Sequence, residues 1–319
     1  MRWKKHGKIF DPSEHKLPNG CKEFAKSPQA IEFSDFVRIY FSSVAIDPVN
    51  GKYLSHVAYV DMNKNMRDII RVSESNVMPL GELGAFDEHG IFPMNVVRDG
   101  SRILAYTTGW SRRVSVSVET AIGLAISDDD GQTFNRFGTG PVLASSLHEP
   151  CLVCDGFVKI INGDYHMWYI FGTGWKRYAQ DLPPDRTYKI GHAISKDGIV
   201  WTKEEAKRVI SDRLGPDESQ ALPTVVCVEG KYHMFFCFRE SFDFRNTKGR
   251  GYRIGHAYST DLVSWTRDDD CPLLEGTPGG WDSDMQCYPH VFGCDGRVYL
   301  LYNGNEFGRH GFGLAELGL

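Results

Sequence analysis

Five segments of the chain share one pattern of apolar and polar positions: a proline, a short apolar run, a turn and a second run rich in aromatic residues. Short apolar runs bounded by turn residues are typical of β-strands, and a recurring pattern indicates a fold built from copies of one unit. The repeats are marked by Pro28, Pro93, Pro150, Pro223 and Pro289. The pattern therefore predicts five similar pairs of strands.

A second repeat predicts a third strand in the unit. The motif Ile-Gly-x-Ala begins at Ile122, Ile190 and Ile254, and each copy leads into a turn that contains aspartate and then to an aromatic residue. Aspartate and glycine suit such turns because the carboxylate accepts hydrogen bonds from nearby backbone amides. We expect these aspartates to be structural.

Four short strands per unit, with no amphipathic helical pattern, predict an all-β chain folded as a five-bladed β-propeller, with residues 1–319 in a single domain. The last unit supplies only three strands. Residues 3–10 have the pattern of the missing fourth strand, so we expect the N-terminal strand to close the ring by pairing with the last blade. That pairing would cover two exposed sheet edges.

Composition narrows the choice of partners and cofactors. The formal charge is −5 and no long basic run occurs, so the sequence shows no cluster of basic residues that would bind nucleic acid or an anionic membrane. The N-terminus is charged and no apolar h-region follows it, so we expect a cytoplasmic protein. Cys151 and Cys154 lack a second pair at zinc-site spacing, and no dinucleotide or phosphate-loop motif occurs. We therefore predict neither a metal nor a cofactor.

Acidic residues stand ahead of four of the five prolines. The first strand of each propeller blade lines the central channel, so these acids are expected to meet at one mouth. Two carboxyl groups, one protonated and one ionised, suit acid–base chemistry on a glycosidic bond. The candidate catalytic residues are Asp87, Glu149, Glu218 and Asp284. The alternative is that these acids cap strand ends or hold a water or a cation.

Aromatic and cationic residues near the same mouths predict a binding surface for a sugar. Trp110 and Trp175 occupy equivalent points after the second strands of two units, and basic residues follow both. An indole face beside a cation suits a sugar ring, an anionic sugar or a phosphate; the alternative is blade packing. The candidate binding residues are Ser27, Glu88, His89, Trp110, Arg112, Arg113, His148, Trp175, Gln220, Arg239, Gln286, Tyr288 and Asn303.

On these features the chain resembles the five-bladed propeller clan of glycoside hydrolase families 43, 32 and 130. The resemblance rests on the proline-led inner strands, on residues 87–93 with Gly109 and Trp110, and on residues 149–151. It implies an aspartate before the first proline that acts as base or nucleophile. This chain has Ser27 there, and a serine hydroxyl does not replace an ionised carboxylate at neutral pH.

Three functions therefore stay open. The first is an enzyme acting on a glycosidic bond by carboxylate acid–base chemistry. The second is a glycosyltransferase or phosphorylase that uses an activated sugar in polysaccharide biosynthesis, with Arg112, Arg113 or Arg239 holding a phosphate. The third is a propeller that binds a glycan without catalysis. Each takes a small sugar, a glycan or an activated sugar as its partner.

Overall fold

The computed structural model describes residues 1–271 and 273–318; the predicted domain, residues 1–319, therefore includes two positions, Pro272 and Leu319, outside the described part. The chain is almost entirely β. The described strands are β1 Arg2–Phe10, β2 Glu23–Glu32, β3 Phe36–Ile46, β4 Tyr53–Asn63, β5 Ile69–Val72, β6 Gly90–Asp99, β7 Arg102–Arg112, β8 Val118–Ser127, β9 Asn135–Arg136, β10 Cys151–Ile161, β11 Asp164–Lys176, β12 Asp185–Ser195, β13 Thr202–Lys203, β14 Glu218–Val228, β15 Lys231–Glu240, β16 Arg253–Ser259, β17 Thr266–Arg267, β18 Cys287–Cys294, β19 Arg297–Asn303 and β20 Phe312–Gly318. The described helical segments are short, at Pro12–Glu14, Pro18–Gly20 and Asn305–Gly308. The prediction of an all-β chain is confirmed.

The strands pair in antiparallel groups of four. Strands β10–β13 form one sheet, β14–β17 a second, and β18, β19, β20 and β1 a third. The remaining sheet contains β2–β5 and β6–β9, connected by a parallel bridge between Ser55 and Gly90. The N-terminal strand β1 lies beside β20, with Trp3 opposite Leu317, so residues from both ends of the chain share one sheet.

The first strand of each group contains a β-bulge. In β2 the pairing register with β3 shifts between Lys26 and Gln29. The other four first strands show a register shift with their second strands at the corresponding point. In β10 the corresponding shift lies between Cys154 and Phe157, which matches Asp155, not Glu149, with Ser27. Asp155 and Ser27 both have a left-handed backbone, with φ of 55° and 50°.

The sequence alignment of Pro150 with the other four prolines was therefore wrong by six residues. Pro150 lies just outside β10, and Gly156 takes the place that proline has in the other strands. The bulge, rather than the proline, is the shared structural feature. Bulges of this kind bend a strand and redirect its side chains.

The Asp-containing turns after the third strands are structural, as expected. The Ser195 hydroxyl accepts a hydrogen bond from the Gly198 amide at 2.9 Å, and the Asp197 carboxylate accepts bonds from the next two amides, at 2.8 and 2.9 Å. Ser127 and Ser259 begin equivalent turns. These carboxylates are occupied by backbone amides and are not available for chemistry.

Large apolar side chains fill the space between neighbouring sheets. Trp168 of β11 and Phe236 of β15 are fully buried in one cluster that also contains Tyr288 of β18. Burial of a side chain of this size contributes roughly 1.5–3 kcal/mol. This packing holds the first strands of different sheets close together. Among the described helices, none has the length and apolar character needed to cross a membrane.

Candidate functional site

Four acids that precede first strands are buried in ion pairs. Arg136 contacts Asp87 at 2.6 Å, Arg267 contacts Glu218 at 2.7 Å and Lys5 contacts Asp282 at 2.5 Å. Glu149 pairs in the same way with Lys203, and it also accepts hydrogen bonds from the Tyr169 hydroxyl at 2.8 Å and the Ala206 amide at 3.1 Å. All four carboxylates are at most 1% exposed.

The cations of these pairs come from equivalent places. Arg136, Lys203, Arg267 and Lys5 each lie on the outermost strand of their group, and each is in register with an alanine of the neighbouring strand: Ala125, Ala193, Ala257 and Ala315. The small alanine leaves room for the long cationic side chain beside it. The recurrence of acids in the sequence is therefore accounted for by a repeated buried ion pair within each sheet.

The surroundings of Glu218 are unsuited to a proton donor. Burial alone would raise the pKa of its carboxyl, but hydrogen bonds from Gln220, Arg267 and the amides of Arg213 and Leu214 hold that pKa below its usual value. Asp284 is exposed, 3.4 Å from Lys248. The catalytic roles of Asp87, Glu149, Glu218 and Asp284 stay predictions, and the geometry gives the three buried members a structural role.

The first strands instead surround a cavity at the centre of the molecule. One part, of about 280 Å³, lies over the bulges of β2, β6, β10, β14 and β18, and an outer part of about 430 Å³ continues from it. Both parts share the side chains of Phe24, Lys26, Phe92, Arg186, Tyr188, Tyr252 and Tyr288. Aromatic walls with a few convergent polar groups are typical of small-ligand sites.

Asp155 is the acid in the inner part of this cavity, among the residues that the structure describes. It lies within the bulge of β10, between Cys154 and Phe157, and its left-handed backbone, with φ of 55°, turns the side chain away from the regular strand pattern. Its Oδ2 accepts a hydrogen bond from the Leu222 amide at 3.3 Å. Burial raises the pKa of the Asp155 carboxyl to about 7, so this group holds a proton near neutral pH.

Cations predominate in the cavity wall. Lys26, Arg186 and Arg245 line the cavity, and the salt bridges of the described residues include no carboxylate partner for them. Burial lowers the pKa of the Lys26 ammonium to about 8. Arg239 lies buried in the wall, 2.9 Å from the Tyr188 hydroxyl and 3.5 Å from the centre of the Phe244 ring. Cations without a carboxylate partner, such as the half-buried Lys26 and Arg186, favour an anionic ligand.

The structure brings three of the predicted binding residues to the cavity: Trp110, Arg239 and Tyr288. Trp175 is adjacent, with the Arg186 guanidinium 5.4 Å from its ring. Arg112 and His89 pack near Trp110, with 5.7 Å from the Arg112 guanidinium to the Trp110 ring and 5.9 Å between the His89 and Trp110 ring centres. These residues lie in or beside the cavity, and a role for them in binding a sugar stays a prediction.

The other predicted residues lie elsewhere. Asn303 holds the backbone of β2 by accepting a hydrogen bond from the Ser27 amide at 2.8 Å, and the Ser27 hydroxyl is buried without a partner in the described chain. Gln220 donates a hydrogen bond to the Glu218 carboxylate at 2.9 Å, and Gln286 donates one to the carbonyl oxygen of Asp282. Glu88, Arg113 and His148 are outside both parts of the cavity, with Arg113 and His148 exposed.

Sequence reasoning missed the residues that carry most of the cavity's polarity. Lys26 directly precedes Ser27, a predicted binding residue, and Asp155 directly follows Cys154 of the CxxC segment. The signal that would have identified them is the bulge, because it shifts the pocket-facing positions along the strand. Arg186, Arg245, Tyr188 and Tyr252 carry no motif.

The raised pKa of Asp155 predicts how the free energy of unfolding depends on pH. A carboxyl whose pKa is higher in the folded chain binds its proton more tightly when folded, so stability is greatest below its ordinary value of 3.8 and falls until about pH 7. The slope is about 1.4 kcal/mol per pH unit. In Asp155→Asn this contribution is absent, and the variant should become the more stable protein at pH 8. Urea unfolding of both proteins from pH 4 to 8 measures the difference; parallel profiles would contradict it.

Comparison with solved structures identifies the fold. A structure described as a glycoside hydrolase superposes with a TM-score of 0.74 at 16% identity, covering 99% of this chain and 92% of the other. A β-1,2-mannobiose phosphorylase from Listeria innocua superposes at 0.69 and 13% identity, covering 99% and 97%. A thermostable family-43 glycoside hydrolase gives 0.64 and 13%, covering 92% and 90%. The chain thus has the propeller fold of these enzymes, which confirms the resemblance seen in the sequence.

Sequence comparison adds a much nearer relative. No family model matches the chain. The Mycobacterium tuberculosis protein described as "Uncharacterized protein Rv1502", from strain ATCC 25618 / H37Rv, is 36% identical over 318 residues, which is 99% of both chains. The protein described as MT1551, from strain CDC 1551 / Oshkosh, matches to the same extent. Identity of this level over the full length of both chains shows common descent, and the chain therefore belongs to the family of the Mycobacterium tuberculosis protein Rv1502.

Proposed function

We propose that the chain is a carbohydrate-active enzyme that transfers a sugar to or from a phosphate group in the central cavity. The observation that carries this proposal is the composition of the cavity wall: one buried acid with a pKa of about 7, Asp155, facing cations that have no carboxylate partner in the described chain. A glycosidase that uses two carboxyl groups needs both beside the scissile bond. Among the described residues the inner cavity supplies one, Asp155, and Glu306 in the outer part is paired with Arg309 at 2.8 Å.

A phosphate would complete the reaction without a second carboxylate. A phosphate oxygen attacks the anomeric carbon, the bond from that carbon to the glycosidic oxygen breaks, and the departing oxygen takes the proton of Asp155. The reverse reaction returns the proton to Asp155 and releases phosphate. The positive charge is provided by Lys26, Arg186 and Arg245. It binds the phosphate and stabilises the negative charge of that group during transfer.

The aromatic walls suit the sugar. Trp110, Phe92 and Tyr288 line the inner cavity together with Asp155. Aromatic faces bury the apolar side of a sugar ring, and tyrosine hydroxyls add hydrogen bonds. The mannobiose phosphorylase with the same fold shows by its name that phosphate-dependent chemistry occurs on this scaffold. Fold does not determine reaction, so we assign the chemistry from the cavity residues.

A panel of sugar 1-phosphates, each offered with sugar acceptors, tests this proposal directly. Release of inorganic phosphate and formation of a disaccharide support it. Hydrolysis of aryl glycosides without any need for phosphate would instead support a glycosidase. Saturable glycan binding without turnover of any donor would support a binding protein and overturn the proposal.

Loss of one cation at the rim should weaken phosphate binding without unfolding the protein. Arg245 is exposed at the outer cavity and stacks on Phe244 at 4.1 Å, so Arg245→Met keeps much of the packing and removes the charge. We expect the KM for phosphate or for a sugar 1-phosphate to rise about tenfold, as a charge-assisted hydrogen bond is worth roughly 1.5–3 kcal/mol.

The matched control for this change is Arg297→Met. Arg297 forms a surface ion pair with Glu316 at 3.1 Å and lies outside both parts of the cavity. Its replacement should leave KM unchanged. An unchanged KM in Arg245→Met as well would remove Arg245 from the phosphate site.

The architecture we propose has five blades in a single domain. The shared bulge in β2, β6, β10, β14 and β18 supports five equivalent units, and the register of Lys5 with Ala315 supports β1 as the outer strand of the last blade. In that arrangement β1 closes the ring. A cytoplasmic location and a part in polysaccharide biosynthesis stay predictions from the sequence.

A further inference from the structure

Three side chains of metal-binding type converge on the outer side of the sheet formed by β14–β17, away from the central cavity. They are His256 of β16, Asp268 just after β17, and Cys271 in the segment that leads toward β18. We propose that His256, Asp268 and Cys271 bind a zinc ion. This proposal is independent of the function assigned to the cavity.

The spacing of the donor atoms fits a zinc ion better than a hydrogen bond. His256 Nδ1 and the Asp268 carboxylate are 3.4 Å apart, and all three donor atoms lie within 4.8 Å of one another. Zinc–ligand bonds of about 2.0–2.3 Å in a tetrahedron place neighbouring ligand atoms about 3.3–3.8 Å apart. The observed pair already has the spacing of one tetrahedral edge.

His256 has a donor atom available for the ion. The side chain is 2% exposed, and its Nδ1 has no hydrogen-bond partner among the residues described. A buried imidazole nitrogen without a partner is costly unless a ligand satisfies it. The nitrogen is on the side of the ring where the Asp268 and Cys271 donors lie.

The other nitrogen of His256 is oriented by a neighbour. Its Nε2 lies 3.0 Å from Nδ1 of His233 on β15, and the two rings stack with their centres 5.3 Å apart. A proton on His256 Nε2, donated to His233, leaves Nδ1 free to bind a metal. Metal-binding histidines characteristically donate their second nitrogen in this way.

Two other places in the molecule help to define the site. His166 and His192 form the same stacked pair in the sheet β10–β13, with nitrogens 3.1 Å apart, yet they do not belong to a cluster with a cysteine among the described residues. Glu32, Cys294 and Asp295 do form such a cluster, but the Lys64 ammonium lies 2.9 Å from both carboxylates. A cation is already present there, whereas Asp268 forms no ion pair with a lysine or arginine within residues 1–271 and 273–318.

The position of the site indicates what the ion does. Asp268 and Cys271 belong to the segment that leaves the sheet β14–β17, and His256 belongs to a strand within that sheet. An ion held by all three attaches the departing segment to the sheet. Three protein ligands leave a fourth position for water, and the Asp268 side chain is 34% exposed.

Metal analysis of the purified, metal-stripped protein tests the proposal. Titration with zinc should give one ion bound per chain and an increase in the melting temperature. Replacement of zinc by cobalt should produce a thiolate-to-cobalt charge-transfer band, which reports a cysteine ligand. Cys271→Ser and Asp268→Asn should each lower zinc affinity by at least tenfold, and Cys271→Ser should abolish the charge-transfer band.

Cys294→Ser is the matched control, because it removes a clustered cysteine where Lys64 already neutralises the acids. It should leave zinc affinity and the cobalt spectrum unchanged. Circular dichroism of each metal-free variant separates loss of the ligand from loss of the fold. Absence of zinc binding by the folded wild type would overturn the proposal, as would equal binding by wild type and Cys271→Ser.

Discussion

Replacement of Asp155 by asparagine is expected to reduce turnover of the sugar substrate by about 10²–10⁴-fold, the range attributed to a positioned general acid. Asp155 is the acid of the inner cavity in the described chain, and burial raises the pKa of its carboxyl to about 7. Asparagine keeps an oxygen for the Leu222 amide and has nearly the same volume, so the cavity should persist. KM should change little.

The pH dependence of the wild-type rate provides a second measurement of the same group. A general acid acts in its protonated form, so kcat should decline above about pH 7 as Asp155 ionises. Glu149→Gln is the control: Glu149 is equally buried but is paired with Lys203, away from the cavity. Its turnover per folded molecule should match the wild type. If Glu149→Gln were inactive while folded and Asp155→Asn fully active, the acid would be Glu149.

Replacement of Lys203 by methionine should lower the free energy of unfolding by about 3–5 kcal/mol, the cost of leaving a buried charge without its partner. Lys203 is 10% exposed in its side chain and contacts Glu149, whose side chain is fully buried. The Tyr169 hydroxyl and the Ala206 amide would remain as partners, but neither carries a charge. Urea denaturation at pH 7 measures the change.

A double-mutant cycle isolates this ion pair. Glu149→Gln combined with Lys203→Met removes both charges. The double variant should be more stable than the single variant Lys203→Met, because no uncompensated carboxylate is left. Lys196→Met is a suitable control, since Lys196 is 83% exposed in its side chain and pairs with Asp164 at the surface. It should cost less than about 1 kcal/mol. Additive effects in the cycle would show that Glu149 and Lys203 do not interact.

Much of the fold was accessible from the sequence because it repeats. Alternating apolar runs and Asp-containing turns depend on neighbouring residues, so they predicted the strands of β6, β7 and β8 and the turn after Ser195 directly. The placement of Trp110 and Tyr288 at the cavity followed from the same repeat. In these cases a local pattern and the final structure depend on the same few residues.

The polar chemistry of the site was decided by tertiary structure. Glu149 looks like a catalytic acid next to a strand, but only the packed sheet shows that Lys203, 54 residues later, neutralises it. Asp155 looks like an ordinary turn residue until the bulge of β10 directs it into the cavity and burial raises the pKa of its carboxyl. The sequence by itself determined the repeated strands, because hydrophobic periodicity is local. Which acids are paired and which face the cavity depends on contacts between residues far apart in the chain, and only the tertiary structure decided it.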